Sequence, residues 1–424
     1  DVESRGLGDV YKRQILHVAI SKRFAAVYGA LMNKPRVVFP FTEAGLGHIM
    51  PMNSLADEFE KLYGDKVEVV RSNFFTETGD PNLIKYQKHL SNSVKNYNRH
   101  PLLGFFATFN MDFWGTAISS WSAIVFIEQN AAEAGIKHME ELAPDLVVST
   151  HWATNYYAMH MKERPLTAVY CPDAKVNTLF RYKSDLTLIS MPTGYRRARG
   201  MHFKRYNNDN IKLVPFLIRN EAFSVSLDKA VNRRKIGVDE DKFTVLLADG
   251  GYGVGKLKPM TEELLARNLP INLISVCGRN DELYKYFLTL TPPQNTTFKP
   301  FGMAENMLEI VASADISCGK SGASMMAEPC FFGIPQIITH YATDIERWIG
   351  RYYIKTVGSA MKIFNVKKAA DKVEYFVNNP QALQPYIDAA KAQRPNYGAE
   401  KCARYIFGLL CKRFPELKDG SELY

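Results

Sequence analysis

The chain has 424 residues, 46% hydrophobic and 23% charged, which are values of a folded globular protein. That length exceeds one ordinary core, so two domains are expected. No apolar run reaches the roughly 18 residues that a membrane-spanning helix needs, and no repeat of roughly 20 to 50 residues marks a solenoid. The formal charge of +9 favours an anionic partner, with nucleic acid, an anionic membrane surface and a phosphorylated ligand all compatible. The six cysteines are scattered and form no C-x-x-C pair, so they read as small core residues of a reducing compartment.

Residues 1–14 lack apolar periodicity and read as non-native sequence. Leu16, Ile20, Phe24, Val27 and Leu31 then recur at helical spacing, predicting either a packed helix or one lying on a membrane. Arg36 to Phe41 is a short apolar run, Thr42 to His48 a glycine-rich turn, Ile49 to Tyr63 a helical pattern and Val67 to Val70 a second strand. This is a β-α-β unit of a parallel sheet. Strands are expected again at Asp145 to Ser149, Leu166 to Cys171 and Leu186 to Ser190. Between Pro81 and Glu133 the pattern is aromatic-rich and helical, including Leu102, Leu103, Phe105, Phe106, Phe109, Phe113, Trp114 and Trp121. It is either extra core or a lipid-docking insert.

A second series gives strands at Phe243 to Ala248, Ile271 to Val276, Asp315 to Cys318 and Gln336 to Thr339. Helices are expected near Met260 to Arg267, Asp281 to Phe287 and Ala323 to Phe332. Two β-α-β series predict an α/β protein of two doubly wound domains, with ligands in a crevice between their strand carboxyl ends. The expected division is an N-terminal segment 1–33, a first domain 34–215, a second domain 216–398, and a terminal helix 399–424 packing back on the first domain.

Three glycine-rich turns could carry chemistry. Gly45-Leu46-Gly47-His48 joins the first strand to the first helix and lacks the third glycine of a dinucleotide fingerprint. His48 stands there either as a base able to take a proton from an acceptor hydroxyl near neutral pH or as a helix-start histidine with structural hydrogen bonds. Gly250-Gly251-Tyr252-Gly253-Val254-Gly255 occupies the matching place in the second domain. Its glycines suit a diphosphate, with Lys256 adding charge, or form a turn that binds nothing. Gly319-Lys320-Ser321 lacks the upstream glycine of a nucleotide-triphosphatase loop, because residue 314 is alanine. It joins a strand to a helix that carries Glu328, either a carboxylate able to accept both ribose hydroxyls or a surface charge. No motif suits a metal, so helix dipoles and basic side chains are left to stabilise a leaving diphosphate.

Taken together, these stretches resemble a family of UDP-sugar transferases. It includes monogalactosyldiacylglycerol synthase, the processive diacylglycerol glucosyltransferases and the N-acetylglucosaminyltransferase that forms lipid II. The resemblance runs over roughly Val37 to Val357. Its most specific pieces are VLLADGGYGVGKLKPMTEELLARNLPINLISVCGRNDEL (Val245 to Leu283) and NMLEIVASADISCGKSGASMMAEPCFFGIPQII (Asn306 to Ile338). PDLVVSTHW with His151, VYCPD with Asp173 and VPFLIRNEAF with Arg219 fall where the family has comparable motifs.

The resemblance implies a GT-B fold and inverting transfer of a hexose from a UDP-sugar to a membrane lipid such as diacylglycerol. No cofactor, no metal and no nucleic acid partner are implied. The expected place is cytoplasmic, peripheral to the inner face of the membrane, with the sugar and the oligomeric state left open and with a polyprenyl-diphosphate or soluble acceptor, or a non-catalytic nucleotide-sugar-binding protein, as the alternatives. His48 is implied as the base or an acceptor-site residue, with Gly45, Gly47, His151 and Asp173 on the acceptor side. Glu328 is implied to hold the ribose, while Gly251, Gly253, Gly278, Arg279, Gly319, Lys320, Ser321, Gly322 and Ala323 line the donor. Phe301 is implied to border the base and Glu346 the sugar. Two departures stand out: Ile345-Glu346 replaces the family's Gln-Glu, and Pro300-Phe301 replaces Gly-Phe. The basic stretch Tyr195 to Arg199 with Lys204 and Arg205 is either a contact for anionic headgroups or a solvated face.

Overall fold

A computed structural model describes residues 34–42, 46–100, 102–106, 129–176, 184–199, 210–251, 253 and 255–423. The expected N-terminal helix, Gly45, Phe109, Phe113, Trp114, Trp121, Lys204, Arg205 and the side chains of Gly47 and His48 lie outside that description.

The first domain is built from β1 (Arg36–Pro40), α1 (Leu46–Tyr63), β2 (Glu68–Ser72), α2 (Pro81–Arg99), α3 (Gln129–Glu141) and β3 (Leu146–Ser149). It continues with α4 (Trp152–Met159), β4 (Leu166–Cys171), β5 (Leu186–Ile189), α5 (Pro192–Arg199) and β6 (Ile211–Leu213). A further helical turn spans 102–106. The strands form one sheet in the order β2-β1-β3-β4-β5-β6. The second domain contains α6 (Lys229–Ile236), β7 (Phe243–Ala248), α7 (Leu257–Ala266), β8 (Ile271–Val276), α8 (Asp281–Leu288) and β9 (Thr297–Phe301). After these come α9 (Met307–Ser313), β10 (Ile316–Lys320), α10 (Ala323–Phe331), β11 (Gln336–His340), α11 (Asp344–Tyr352) and β12 (Ala360–Lys362). The chain finishes with α12 (Val366–Asn378), α13 (Gln384–Lys391) and α14 (Glu400–Arg413). The second sheet runs β12-β11-β10-β7-β8-β9, and both sheets are parallel throughout.

Strands covered by helices on both faces must be apolar along their whole length, which is why β7, β8 and β4 read as unbroken runs and are almost wholly buried. Three strands escape the sequence reading. Two of them, β6 and β12, have only three residues and the third, β9, has half-buried side chains, and each lies at an edge where little burial is demanded of it. Pro300 fits in β9 because an edge strand leaves one side of its backbone unpaired. Helix α1 also starts earlier than expected. Residues 46–48 form its first turn rather than a preceding loop, since a helix start has amides that need no partner within the helix.

Helix α14 returns to the first domain. The Tyr63 and Phe407 rings stack at 3.8 Å, and Ile406, Phe407 and Leu410 share one core cluster with Val37, Phe39 and Leu146. The chain therefore crosses between domains twice, and the two crossings are bonded to each other. The Phe216 amide donates to the Asn396 carbonyl at 2.7 Å and the Gly398 amide to the Phe216 carbonyl at 3.0 Å.

Candidate active site

In doubly wound sheets the binding crevice opens where the strand order reverses. In the second domain that point lies between β7 and β10, so the loops after these strands, 249–256 and 321–322, are brought side by side. They touch closely. A Cβ on Gly319 would stand 1.9 Å from the Ala248 carbonyl oxygen, and the Lys320 amide donates to Asp249 Oδ1 at 3.1 Å. The loop after β8 locks in from the other side. The Arg279 amide donates to the Gly251 carbonyl at 2.9 Å, and Asn280 Nδ2 donates to the Gly253 carbonyl at 3.2 Å. Gly253 has φ +55°, and a Cβ there would lie 2.0 Å from the Cys277 carbonyl oxygen, while a Cβ on Gly278, at φ +58°, would lie 2.6 Å from the Gly251 carbonyl oxygen. These glycines thus have a structural duty of close backbone approach, whatever they offer a ligand.

Two helix starts face this crevice, and they differ. Buried Asp249 lies near the amides of Lys256 and Leu257 that open α7, though its Oδ2 makes no hydrogen bond among the described residues. Burial raises its carboxyl above the usual range, opposed by His340 and Lys320. The His340 imidazole, 3.8 Å from Asp249, is in turn pushed down by burial. At the start of α10, Gly322 occupies the N-cap and supplies no side-chain cap to the first-turn amides. The sequence reading placed Lys256 at the diphosphate. Its ammonium instead donates to the carbonyls of Thr339 and Phe364, and burial lowers its pKa. Buried Ser321 likewise spends its hydroxyl on the Glu346 carbonyl at 2.8 Å.

Glu328, in the second turn of α10, has a side chain only 8% exposed and is gripped by Arg219 through two bonds, Nε to Oε1 at 2.8 Å and Nη2 to Oε2 at 2.7 Å. A carboxylate has about four acceptor positions, so this fork leaves one on each oxygen. Glu346 is fixed in a similar way: Oε1 accepts from Lys320 Nζ at 2.9 Å and Oε2 from the Ala342 amide at 2.7 Å. Phe301 ends β9, two strands out from β7, with its carbonyl taken by the Cys277 amide. Ala323, half-buried, opens α10 beside Gly322.

In the first domain the order reverses between β1 and β3. His48 lies in the first turn of α1, just beyond β1. His151 follows β3, where it caps α4, its Nδ1 accepting from the Ala153 amide at 3.3 Å. Asp173 follows β4, and burial pushes its carboxyl up to about 7 with the Cys171 thiol as hydrogen-bond partner. Adjacent strand ends therefore carry all three residues that the sequence singled out. Two residues past Asp173, Lys175 reaches the other domain, where its Nζ meets Asp344 Oδ2 at 2.7 Å with both side chains largely buried. Sequence reasoning missed this pair, Asp249, His340 and the Arg219 fork. The one available signal was Asp249, a carboxylate between a buried strand and a glycine run. Among the described residues no group of three or more His, Cys, Asp or Glu is placed to hold a metal ion, and no helix is long and apolar enough to cross a membrane.

No protein-family model matches the chain. A probable monogalactosyldiacylglycerol synthase 2 of Oryza sativa subsp. japonica is 24% identical over 384 residues, covering 85% of this chain and 77% of that protein. A processive diacylglycerol beta-glucosyltransferase of Staphylococcus saprophyticus is 27% identical over 222 residues, covering 51% of this chain and 55% of that one. Among solved structures, MurG of Acinetobacter baumannii superposes with a TM-score of 0.51 over 88% of this chain and 99% of its own, at 12% identity, a likeness of fold. The chain has the GT-B fold and is a homologue of glycosyltransferases that include monogalactosyldiacylglycerol synthase and the processive diacylglycerol glucosyltransferases.

Proposed function

We propose that the chain is an inverting hexosyltransferase that moves a sugar from uridine diphosphate to the hydroxyl of a membrane lipid such as diacylglycerol. The observation that carries this reading is Glu328. It is a buried carboxylate with one free acceptor position on each oxygen, held by Arg219 one helical turn from the uncapped start of α10. Such a pair of acceptors matches the vicinal hydroxyls of a ribose, and amides at a helix start match the diphosphate attached to it. The names of the relatives support a diacylglycerol acceptor and a hexosyl group.

In this reading His48 takes the proton of the lipid hydroxyl as its oxygen attacks the anomeric carbon. The bond from that carbon to the β-phosphate oxygen breaks, and UDP departs with the electron pair. The α10 amides and Lys320 stabilise the charge that develops on the diphosphate. Glu346, anchored by Lys320 and the Ala342 amide, is left to receive sugar hydroxyls. Closure of the domains excludes water, the competing acceptor.

The test is UDP release from a panel of UDP-sugars, each with and without diacylglycerol. One sugar should give release that depends on the lipid, and His48→Ala should lower kcat by at least about 100-fold while leaving UDP affinity unchanged. Release independent of any lipid, or unaltered turnover in His48→Ala, refutes the reading.

A further inference from the structure

Beside α11 a cavity of about 400 Å³ is lined by Tyr341, Arg347, Trp348, Arg351, Lys355 and Lys362 along with Ile354. Its size lies within the range of small-ligand sites, and among the described residues its lining has no acidic side chain. Arg347 is balanced by Asp344 at 2.6 Å. Arg351, Lys355 and Lys362 meet no carboxylate among the described residues. Instead the Arg351 guanidinium lies over the Trp348 ring at 5.5 Å, and Lys362 Nζ over the Phe364 ring at 4.5 Å. Three exposed cations converging on one hollow repel each other, and a protein tolerates this most readily where an anion is to be received.

The neighbouring surface identifies the source of that anion. The helical turn 102–106 belongs to the first domain, yet its Phe105 ring lies 5.3 Å from the Arg347 guanidinium. That turn presents Leu102, Leu103 and Phe106 to solvent at 77%, 52% and 62% exposure. A soluble anion gives no reason for bare aliphatic and aromatic side chains beside its pocket. Cations next to exposed apolar side chains are the composition of a surface that lies at a bilayer interface.

We propose that the hollow formed by α11, the π-helical turn Tyr353–Val357 and β12 receives the phosphate headgroup of an anionic lipid while the turn 102–106 enters the bilayer beside it. The docking face is thus assembled from both domains. It differs from the basic stretch Tyr195 to Arg199 that the sequence singled out, and it adds a partner to the transferase reading without depending on turnover.

The test is flotation of the full chain, without sugar nucleotide, with vesicles of phosphatidylcholine alone and of phosphatidylcholine mixed equally with phosphatidylglycerol. Wild type should favour the anionic vesicles. The triple variant Arg351→Ala, Lys355→Ala, Lys362→Ala should bind them about 100-fold more weakly, at about 1 kcal/mol for each cation near a charged surface. Leu102→Ser with Phe106→Ser should weaken binding to both vesicle types. A thermal shift with UDP, retained in each variant, certifies that the donor domain is folded and separates this outcome from failure of the transferase reading. Anionic-vesicle binding that survives the triple substitution overturns the proposal. So does binding of glycerol phosphate by a chain that ignores both vesicle types.

Discussion

Replacing Glu328 by alanine probes the proposed donor site most directly. The carboxylate accepts two bonds from Arg219 and has two acceptor positions left, so the variant loses both contacts to a ribose and strands the guanidinium, whose side chain is 17% exposed. Hydrogen bonds to a charged group contribute about 1.5 to 3 kcal/mol each, so even the low end for two hydroxyls gives about 3 kcal/mol, or roughly 100-fold in UDP affinity. Breaking a buried pair from one side costs on the order of 3 kcal/mol of stability as well, because Arg219 then has no carboxylate. Calorimetric titration with UDP reads the first number and chemical denaturation the second. Arg219→Met separates the roles. If Arg219 acts on nucleotide only by orienting Glu328, the double variant Arg219→Met, Glu328→Ala should bind UDP no more weakly than Glu328→Ala alone, a non-additive cycle. Unchanged UDP affinity in a folded Glu328→Ala protein refutes the ribose assignment.

Two further perturbations test the scaffold of the cleft. Gly253→Ala forces a side chain into a left-handed conformation with its Cβ 2.0 Å from the Cys277 carbonyl oxygen. Summing roughly 1 to 2 kcal/mol for the conformation and 1 to 3 for the clash, a melting scan should show a fall of about 5 to 15 °C. Asp173 has its carboxyl raised to about 7 by burial, so between about pH 4 and pH 7 the folded chain holds a proton that the unfolded chain releases. The stability due to this group is present at low pH and is lost as pH rises toward 7. Asp173→Asn should therefore stabilise the fold at pH 8, by at most about 4 kcal/mol, and not at pH 4. Denaturation curves at the two pH values decide, and an equal effect at both contradicts the assignment.

What the sequence reveals depends on how local the cause is. Strands β4, β7 and β8 are bounded correctly by their apolar runs because burial on both faces constrains every residue in them. The last strand, β12, has three residues with only Ala360 buried, and nothing in its composition distinguishes it from a loop. Glu328 and the glycine turns stand out because strand–turn–helix junctions are local. The partner of Glu328 lies 109 residues away and that of Lys175 lies 169 away, so no spacing rule reaches them. Lys256 misleads for the same reason. Its neighbours in sequence suggest a diphosphate, while the carbonyls of Thr339 and Phe364 that hold it come from elsewhere in the chain.

The two interdomain crossings are stitched together by backbone hydrogen bonds at Phe216, and Arg219 sits three residues beyond that seam. Rotation of one domain against the other must pivot about a doubled strand rather than a loose tether, and the arm that aims Glu328 is mounted on the pivot. Under the proposed donor reading, nucleotide occupancy and the angle between the domains are then linked variables. Whatever fixes the angle, a lipid surface included, tightens or loosens the hold on the donor, and by thermodynamic reciprocity a bound donor biases the angle in return.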